Sequence, residues 1–258
     1  MNRGHAGLLA SRLCHFKGEG SLWRRLILLV GGIGLLSGPS GCSEDFTRNV
    51  VATVLFVDGT ALVSAEGGRG SVPLLSEPGA GEGEIIETSA SSSAGLALLP
   101  NTLIRLDQNT RIEIVRISLA KDGNRMASAI RGRYVEIKLL SGRTVVSHDW
   151  GEAIARFTVA TSQGELITSS NALFCMESDG QRTRVTCVSG IVGFRPSTGG
   201  GTAPIPPGHI GQWSPEASTV VAAETDAQGQ ADLEEALEVE QKLRALRERL
   251  RNIPPGDR

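Results

Sequence analysis

The sequence predicts an all-β body of short antiparallel strands, followed by one amphipathic helix at the C-terminus. The 258 residues include 32 glycines but only six Phe, three Trp and one Tyr, a balance typical of short strands joined by tight turns. Short runs of apolar and β-branched residues are separated by turn signals at intervals of about 8–12 residues, which indicates a sandwich, a barrel or a solenoid. The tail instead has apolar residues at helical spacing.

The first 41 residues are predicted to be a signal peptide. Residues 26–36 read LILLVGGIGLL and follow an arginine pair, and these eleven residues are too few for a membrane-spanning helix, which needs about 20. The run leads into Ser40, Gly41 and Cys42, which resembles a bacterial lipoprotein signal, in which the cysteine is acylated and becomes the new N-terminus. An ordinary secretory signal and an uncleaved short anchor stay open as alternatives.

The remaining chain divides by composition. We expect the lipidated cysteine and a tether at 42–48, a β domain at 49–213, a linker at 214–230 and a helix at 231–253. The linker assignment depends on a run rich in Ser, Ala and Thr. The clearest strand-like runs of the β domain are 50–57, 60–65, 111–119, 134–140, 144–147 and 154–160.

The predicted helix has an apolar seam with alternating spacings of three and four residues, and its acids precede its bases, an order that suits the helix dipole. One interpretation docks the helix on its own β domain. The other is a short antiparallel coiled coil, which would make the protein a homo-oligomer. The residues of the seam, and hence of any self-association, are Ala236, Val239, Leu243, Leu246 and Leu250.

Two cysteines remain once the signal peptide and the acylated thiol are set aside. Cys175 and Cys187 flank an Asp-Gly pair at 179–180, which predicts a hairpin. A two-residue turn would place Cys175 opposite Arg184 and Cys187 opposite Ala172, which leaves the sulfurs too far apart to bond without a bulge or a longer loop. A disulfide and a role for Cys187 as a small core residue both stay open.

The charge of the chain argues against a nucleic-acid partner. The full sequence has 26 bases and 28 acids, and five of the bases and one of the acids precede Cys42. The mature part then has 21 bases and 27 acids, a net charge of −6. An acidic protein is not expected to bind phosphate polymers or an anionic membrane through charge, so membrane attachment would come from acyl chains.

No pattern in the sequence indicates catalysis, a cofactor or a metal ion. His148 lies in a polar Ser-His-Asp run where we expect a surface turn, and His209 follows a Pro-Pro-Gly turn. The glycine-rich segments lack the lysine of a phosphate-binding loop. Glu82, Glu84 and Glu87 lack the spacing of a calcium loop and are read as a solvated rim. We therefore assign no catalytic, cofactor-binding or metal-ligating residue.

A series of short motifs resembles the FecR-type periplasmic domain, which occurs in iron-siderophore sensing regulators. The resemblance runs from about Val51 to Gln212 and depends on the order of its pieces. These pieces are GTALV at 59–63, GEIIET at 83–88, NTRI at 109–112, GRTVV at 142–146, FTVAT at 157–161, NALF at 171–174 and VTCVSGIV at 185–192. The resemblance implies an all-β solenoid-like or sandwich-like fold and roles in protein contact and signalling. It carries over no binding residues.

Together these observations predict a non-enzymatic binding, scaffold or signalling module of the cell envelope. It would be periplasmic and anchored to the outer or inner membrane by acyl chains on Cys42, with an envelope protein or glycan as its partner. The alternative is a membrane-anchored FecR-type regulator that relays an envelope signal to a sigma factor. That alternative requires residues 26–36 to remain as an anchor.

Overall fold

The computed structural model describes residues 46–65, 70–75, 79–121, 130–149, 154–168, 170–214 and 221–252. They belong to one compact unit, Ser43–Arg258. The strands are β1 (Phe46–Asn49), β2 (Thr53–Asp58), β3 (Ala61–Ala65), β4 (Val72–Pro73), β5 (Glu84–Thr88), β6 (Ser93–Leu99), β7 (Thr102–Leu106), β8 (Arg111–Lys121), β9 (Ile130–His148), β10 (Ile154–Thr161), β11 (Gly164–Thr168), β12 (Ala172–Ser178), β13 (Thr183–Ser189), β14 (Val192–Pro196), β15 (Ala203–Ile205), β16 (His209–Trp213) and β17 (Val221–Glu224). The helix is α1 (Ala227–Arg251).

The strands form two layers that share β9. The first layer has the order β4-β3-β5-β8-β9-β10-β11-β14-β15, with β1 added to the far end of β8. The second layer has the order β2-β6-β7-β9-β12-β13-β16-β17. The prediction of an all-β sandwich-like domain with one C-terminal helix is thereby confirmed.

The main core lies between the two layers. Phe157 of the first layer stacks on His148 of the second at a centroid distance of 5.5 Å and lies 6.3 Å from Phe174. Alternate residues of each strand face this core, as the period of a pleated strand requires. Its members include Ile112, Ile114, Val135, Ile137, Phe157, Val159, Leu96, Ile104, Val146, Phe174 and Val185.

β9 passes from the first layer to the second near Gly142. Residues up to Ser141 pair with β8, whereas Gly142–His148 pair with β12. Gly142 has a φ of +93°, and a Cβ there would lie 2.4 Å from the Cα of Thr110. Only glycine suits this crossing, because any other residue would have a strained backbone at this positive φ and its Cβ would clash with the backbone of Thr110.

One pairing departs from the predicted antiparallel pattern. β10 runs parallel to the first half of β9, with Phe157 beside Val135. The first half of β9 lies in the first layer and its second half lies in the second layer. β10 then returns to the first layer, so it runs in the same direction as the first half of β9.

Three predicted boundaries differ from the structure. β1 begins at Phe46 and pairs with β8, so it lies within the expected tether. β17 pairs with β16 inside the expected linker. The helix starts at Ala227 because the Asp226 carboxylate accepts a hydrogen bond from the backbone N–H of Gly229 at 2.8 Å, as an N-cap does.

The cysteine hairpin has a longer turn than expected. Ser178 pairs with Thr183, so four residues lie between the strands, and Cys175 pairs with Thr186 instead of Arg184. Cys187 pairs with Phe174 and belongs to the core between the layers, whereas Cys175 faces the helix. Both thiols are free, because the two side chains lie on opposite faces of the sheet.

Candidate functional site

Helix α1 packs on the outer face of the second layer through an apolar centre. Ala236, Val239 and Leu243 are buried there. The residues they join are Leu103, Val145, Leu173 and Cys175, with Leu55, Phe56, Ala97 and Val188 at the margin. The helix thus docks on its own domain, and three residues of the predicted self-association seam have partners within the chain.

Leu246, the next residue of the seam, is less enclosed. It is half-buried, and Leu250 belongs to the last turn of the helix. Self-association through these residues stays a prediction.

The first turns of the helix are joined to the sheet by a cluster of ion pairs around Arg143. Its Nη2 lies 3.0 Å from Asp232 Oδ1 and 2.8 Å from Glu235 Oε2, and its Nη1 bonds to Asp107. Arg105 adds pairs to Asp107 at 3.1 Å and Glu235 at 3.0 Å. Asp232 and Asp107 are nearly enclosed, so their charges depend on these arginines.

The thiol beside this cluster is not an activated nucleophile. Cys175 Sγ donates to the backbone oxygen of Asp232 at 3.5 Å and lies 3.7 Å from Arg143. Burial raises the pKa of Cys175 to about 12 although Arg143 acts to lower it. Thr186 donates to Asp232 Oδ2 at 2.8 Å, so the hydrogen bonds here fix the helix and expose no reactive group.

A second polar contact fixes the C-terminal half of the helix. Arg244 Nη2 lies 3.0 Å from Asp149 Oδ1 and 2.8 Å from Glu240 Oε1. Ser147 donates to the same Glu240 oxygen at 2.7 Å. The helix is therefore held at both ends by charge and in the middle by apolar packing.

An apolar groove lies beside this C-terminal half. Its volume is about 450 Å³, within the range of ligand-binding clefts. The floor is formed by residues of β2, β6 and the chain before β2, and two arginines of α1 form one wall. The lining residues are Val50, Val51, Thr53, Leu55, Ala97, Leu98, Leu99, Pro100, Arg247 and Arg251.

The two arginines give the groove a cationic side. Arg247 Nη1 donates to the backbone oxygen of Pro100, while its Nε is buried without a hydrogen-bond partner among the described residues. Arg251 is exposed. An apolar floor beside unneutralised guanidinium groups suits a ligand that presents aliphatic and acidic groups together.

The groove borders an open sheet edge. Among the described strands, β2 pairs with β6 and with no other. Just before β2, Ala52 exchanges backbone hydrogen bonds with Ala80, and Val50 N donates to the Ile117 oxygen, so among the described residues the unpaired edge is that of β2 itself. Val51, two residues before β2, is 53% exposed, and Val57, near the end of β2, is 36% exposed.

The two histidines of the described residues do not line the groove. His148 is in β9 and is 2% exposed, so the expected surface turn is wrong: the Ser-His-Asp run continues the strand. Its Nδ1 lies 2.9 Å from Thr102 Oγ1, and burial lowers its pKa to about 4. His209 begins β16, with Nδ1 3.0 Å from the Pro207 oxygen.

The remaining sequence candidates are placed as follows. Cys42, the predicted lipidation site, lies outside the described residues. Glu84 accepts a hydrogen bond from Gly81 N at 2.6 Å, and Glu87 lies 3.9 Å from Arg111. Within the described ranges no group of three or more metal-ligating side chains converges, and no helix is long and apolar enough to cross a membrane.

Sequence reasoning did not find the groove. The excess of bases in the last turns of the helix was visible, and so was the β-branched run that begins near Val51. Nothing in the sequence indicates that these two segments, some 200 residues apart, meet at one groove.

The comparison with protein-family models agrees with the motif series. The model of the family described as FecR protein matches residues 84–193. No curated protein sequence matches the chain. Two crystal structures of an anti-sigma factor from Parabacteroides distasonis, described as "putative", align over 56% of this chain at 16% identity, with TM-scores of 0.41 and 0.40. The chain spans 61% of the length of that protein. Residues 84–193 of this protein are therefore similar to the FecR family.

Proposed function

We propose that this protein is a non-enzymatic binding and signalling module of the cell envelope, held at the membrane by acyl chains on Cys42. The similarity of residues 84–193 to the FecR family is the observation that carries the signalling role. The lipid anchor is supported by the eleven-residue apolar run that leads into Ser40, Gly41 and Cys42. Several acyl chains hold a protein firmly, whereas one chain alone gives marginal attachment.

The interior chemistry supports binding over catalysis. The buried groups with strongly shifted pKa values are held in unreactive forms: burial keeps both thiols protonated and His148 uncharged at neutral pH. The groove, in contrast, has an open sheet edge and a mixed apolar and cationic lining. Its lining contains no aromatic ring on which a sugar could stack, so we propose an envelope protein and not a glycan as the partner.

The anchor is tested by the mature N-terminus. The full chain is expressed in a bacterial host, the membrane fraction is collected, and the N-terminal peptide is identified by mass spectrometry. We expect an acylated peptide that begins at Cys42, and we expect Cys42→Ala to abolish acylation and release the protein from the membrane. Cys14→Ala is the matched control and should change neither result.

The alternative is a regulator that relays an envelope signal to a sigma factor, and the FecR match supports it as well. It requires residues 26–36 to stay in the membrane and an N-terminus that is intact at Met1. A membrane-bound chain that retains Met1, with unchanged attachment in Cys42→Ala, would establish this alternative against the lipid-anchored module.

A further inference from the structure

We infer that the groove beside β2 binds an extended, acidic segment of a partner protein, which adds as a strand to the open edge of β2. This inference rests on the proposed binding function and names the partner chemistry and the site. The relevant features are the free edge of β2, the aliphatic floor, and the cationic wall formed by Arg247 and Arg251.

The open edge supplies the backbone hydrogen bonds. β2 pairs with β6 on one side, and no described strand pairs with its other side. Unpaired N–H and C=O groups on an edge strand are a template for an added strand, and this mode of recognition obtains its affinity from main-chain hydrogen bonds. A partner segment must therefore be extended and must have free amide groups.

The groove supplies the selectivity for side chains. Alternate residues of an added strand point to the same face of the sheet, so every second side chain of the partner would lie beside Thr53 and Leu55, the residues of β2 that line the groove. The floor offers no polar side chain except Thr53. Aliphatic residues at alternate positions fit this surface, because they remove apolar area from water.

The wall supplies the charge preference. From residue 242 onward the helix has Lys242, Arg244, Arg247, Arg249 and Arg251 against one acid, Glu248. Arg244 is paired within the protein, whereas Arg247 and Arg251 make no ion pair with a described residue. Arg251 is exposed, so a carboxylate of the partner can reach its guanidinium group.

A defined peptide pool tests the inference without knowledge of the natural partner. Its members are acetylated and amidated octapeptides with Val, Ile or Leu at odd positions and Asp, Glu, Ser or Thr at even positions. A second pool has Lys or Arg in place of the acids, and a third has an N-methyl group on every backbone amide, which leaves no N–H to donate to an edge strand. Binding is measured by fluorescence anisotropy on residues 43–258, which form a compact unit with their own core.

We expect the acidic pool to bind more tightly than the basic pool and the N-methylated pool to bind least. Hydrogen exchange should slow at the β2 amides when the acidic pool is present. Arg251→Glu should weaken binding about fivefold or more, as loss of an exposed ion pair does. The matched control Arg182→Glu alters an exposed arginine in the turn between β12 and β13 and should leave binding unchanged.

A second pair of variants tests the role of the apolar lining of the groove. Val51→Asp places a charge at the groove in a residue that is already 53% exposed, so folding should be retained, and Ile191→Asp does the same at a 58% exposed site outside the lining. Only Val51→Asp should weaken binding of the acidic pool.

Three results would overturn the inference: no binding by the acidic pool at about 1 mM, equal binding of the N-methylated pool, or binding that Arg251→Glu leaves unchanged. Failure of acylation at Cys42 would not affect these measurements. The anchor and the groove are therefore tested separately.

Discussion

Arg143 of β9 and Asp232 of the helix form an ion pair at 3.0 Å, with side chains that are 19% and 7% exposed. The pair joins the second sheet layer to the first turns of α1. Because Asp232 is almost enclosed, it would be left as an uncompensated charge without the guanidinium group.

We therefore expect Arg143→Gln to lower the free energy of unfolding by about 3 kcal/mol, since breaking a buried pair leaves its partner charged and desolvated. Urea unfolding followed by circular dichroism measures the change. Arg195→Gln is the matched control: its pair with Glu165 is far more exposed and should contribute less than about 1 kcal/mol. Equal effects of the two variants would contradict the importance of the Arg143 cluster.

His148 should make the protein less stable in mild acid. Its pKa is about 4 in the folded state because the ring is buried, against about 6.5 in the unfolded chain. Below pH 6.5 the unfolded state binds the proton more readily, so stability falls as the pH decreases from about 6.5 to about 4. The full effect is roughly 3 kcal/mol, since each pKa unit corresponds to about 1.4 kcal/mol.

The variant His148→Phe should reduce this pH dependence, although loss of the Thr102 hydrogen bond will also lower stability at neutral pH. Urea unfolding at several pH values between 4 and 7 measures both effects. His209→Phe, at the half-exposed histidine of β16, should retain the dependence. An unchanged slope in His148→Phe would assign the acid sensitivity to other groups.

Gly142→Ala should destabilise the protein more than Gly180→Ala. Both glycines have positive φ, +93° and +84°, but only at Gly142 would a Cβ meet other atoms, at 2.4 Å from Thr110 Cα. The positive φ costs about 1 kcal/mol in both variants. Any further loss in the free energy of unfolding of Gly142→Ala therefore measures the steric conflict where β9 changes layer. Thermal and urea unfolding report it, and equal losses would show that the crossing can accommodate a methyl group.

Val239→Asp separates the docked helix from the coiled coil. Val239 is 5% exposed against the sheet, so the variant should lower the free energy of unfolding by more than about 3 kcal/mol, because an unpaired charge is buried. Leu237→Asp, at a 48% exposed helix position, should change it by less than about 0.5 kcal/mol. Light scattering completes the test: a coiled coil predicts that Val239→Asp lowers the molar mass while the domain keeps its stability.

The structure shows where sequence patterns were sufficient. The alternation of residues such as Ile112 and Ile114 correctly indicated a strand, because the period of a pleated strand is visible in the sequence. The spacing of Ala236, Val239 and Leu243 correctly indicated a helix, although the Asp226 cap that starts it was missed. The turn at 179–180 was correctly placed, but its length was not, since a four-residue loop changes the register that a two-residue turn would impose.

Local order along the chain thus determined the β-rich class, the turns and the tail helix, because strand and helix periods and the conformational freedom of glycine act over a few residues. Only the tertiary structure decided that His148 is enclosed, that Cys175 and Cys187 face opposite sides of a sheet, and that the helix joins Arg143 to Asp232. It also brought Val51 and Arg251 to one groove. Contacts between residues that are far apart in the chain depend on register and layer packing, which no short-range pattern specifies.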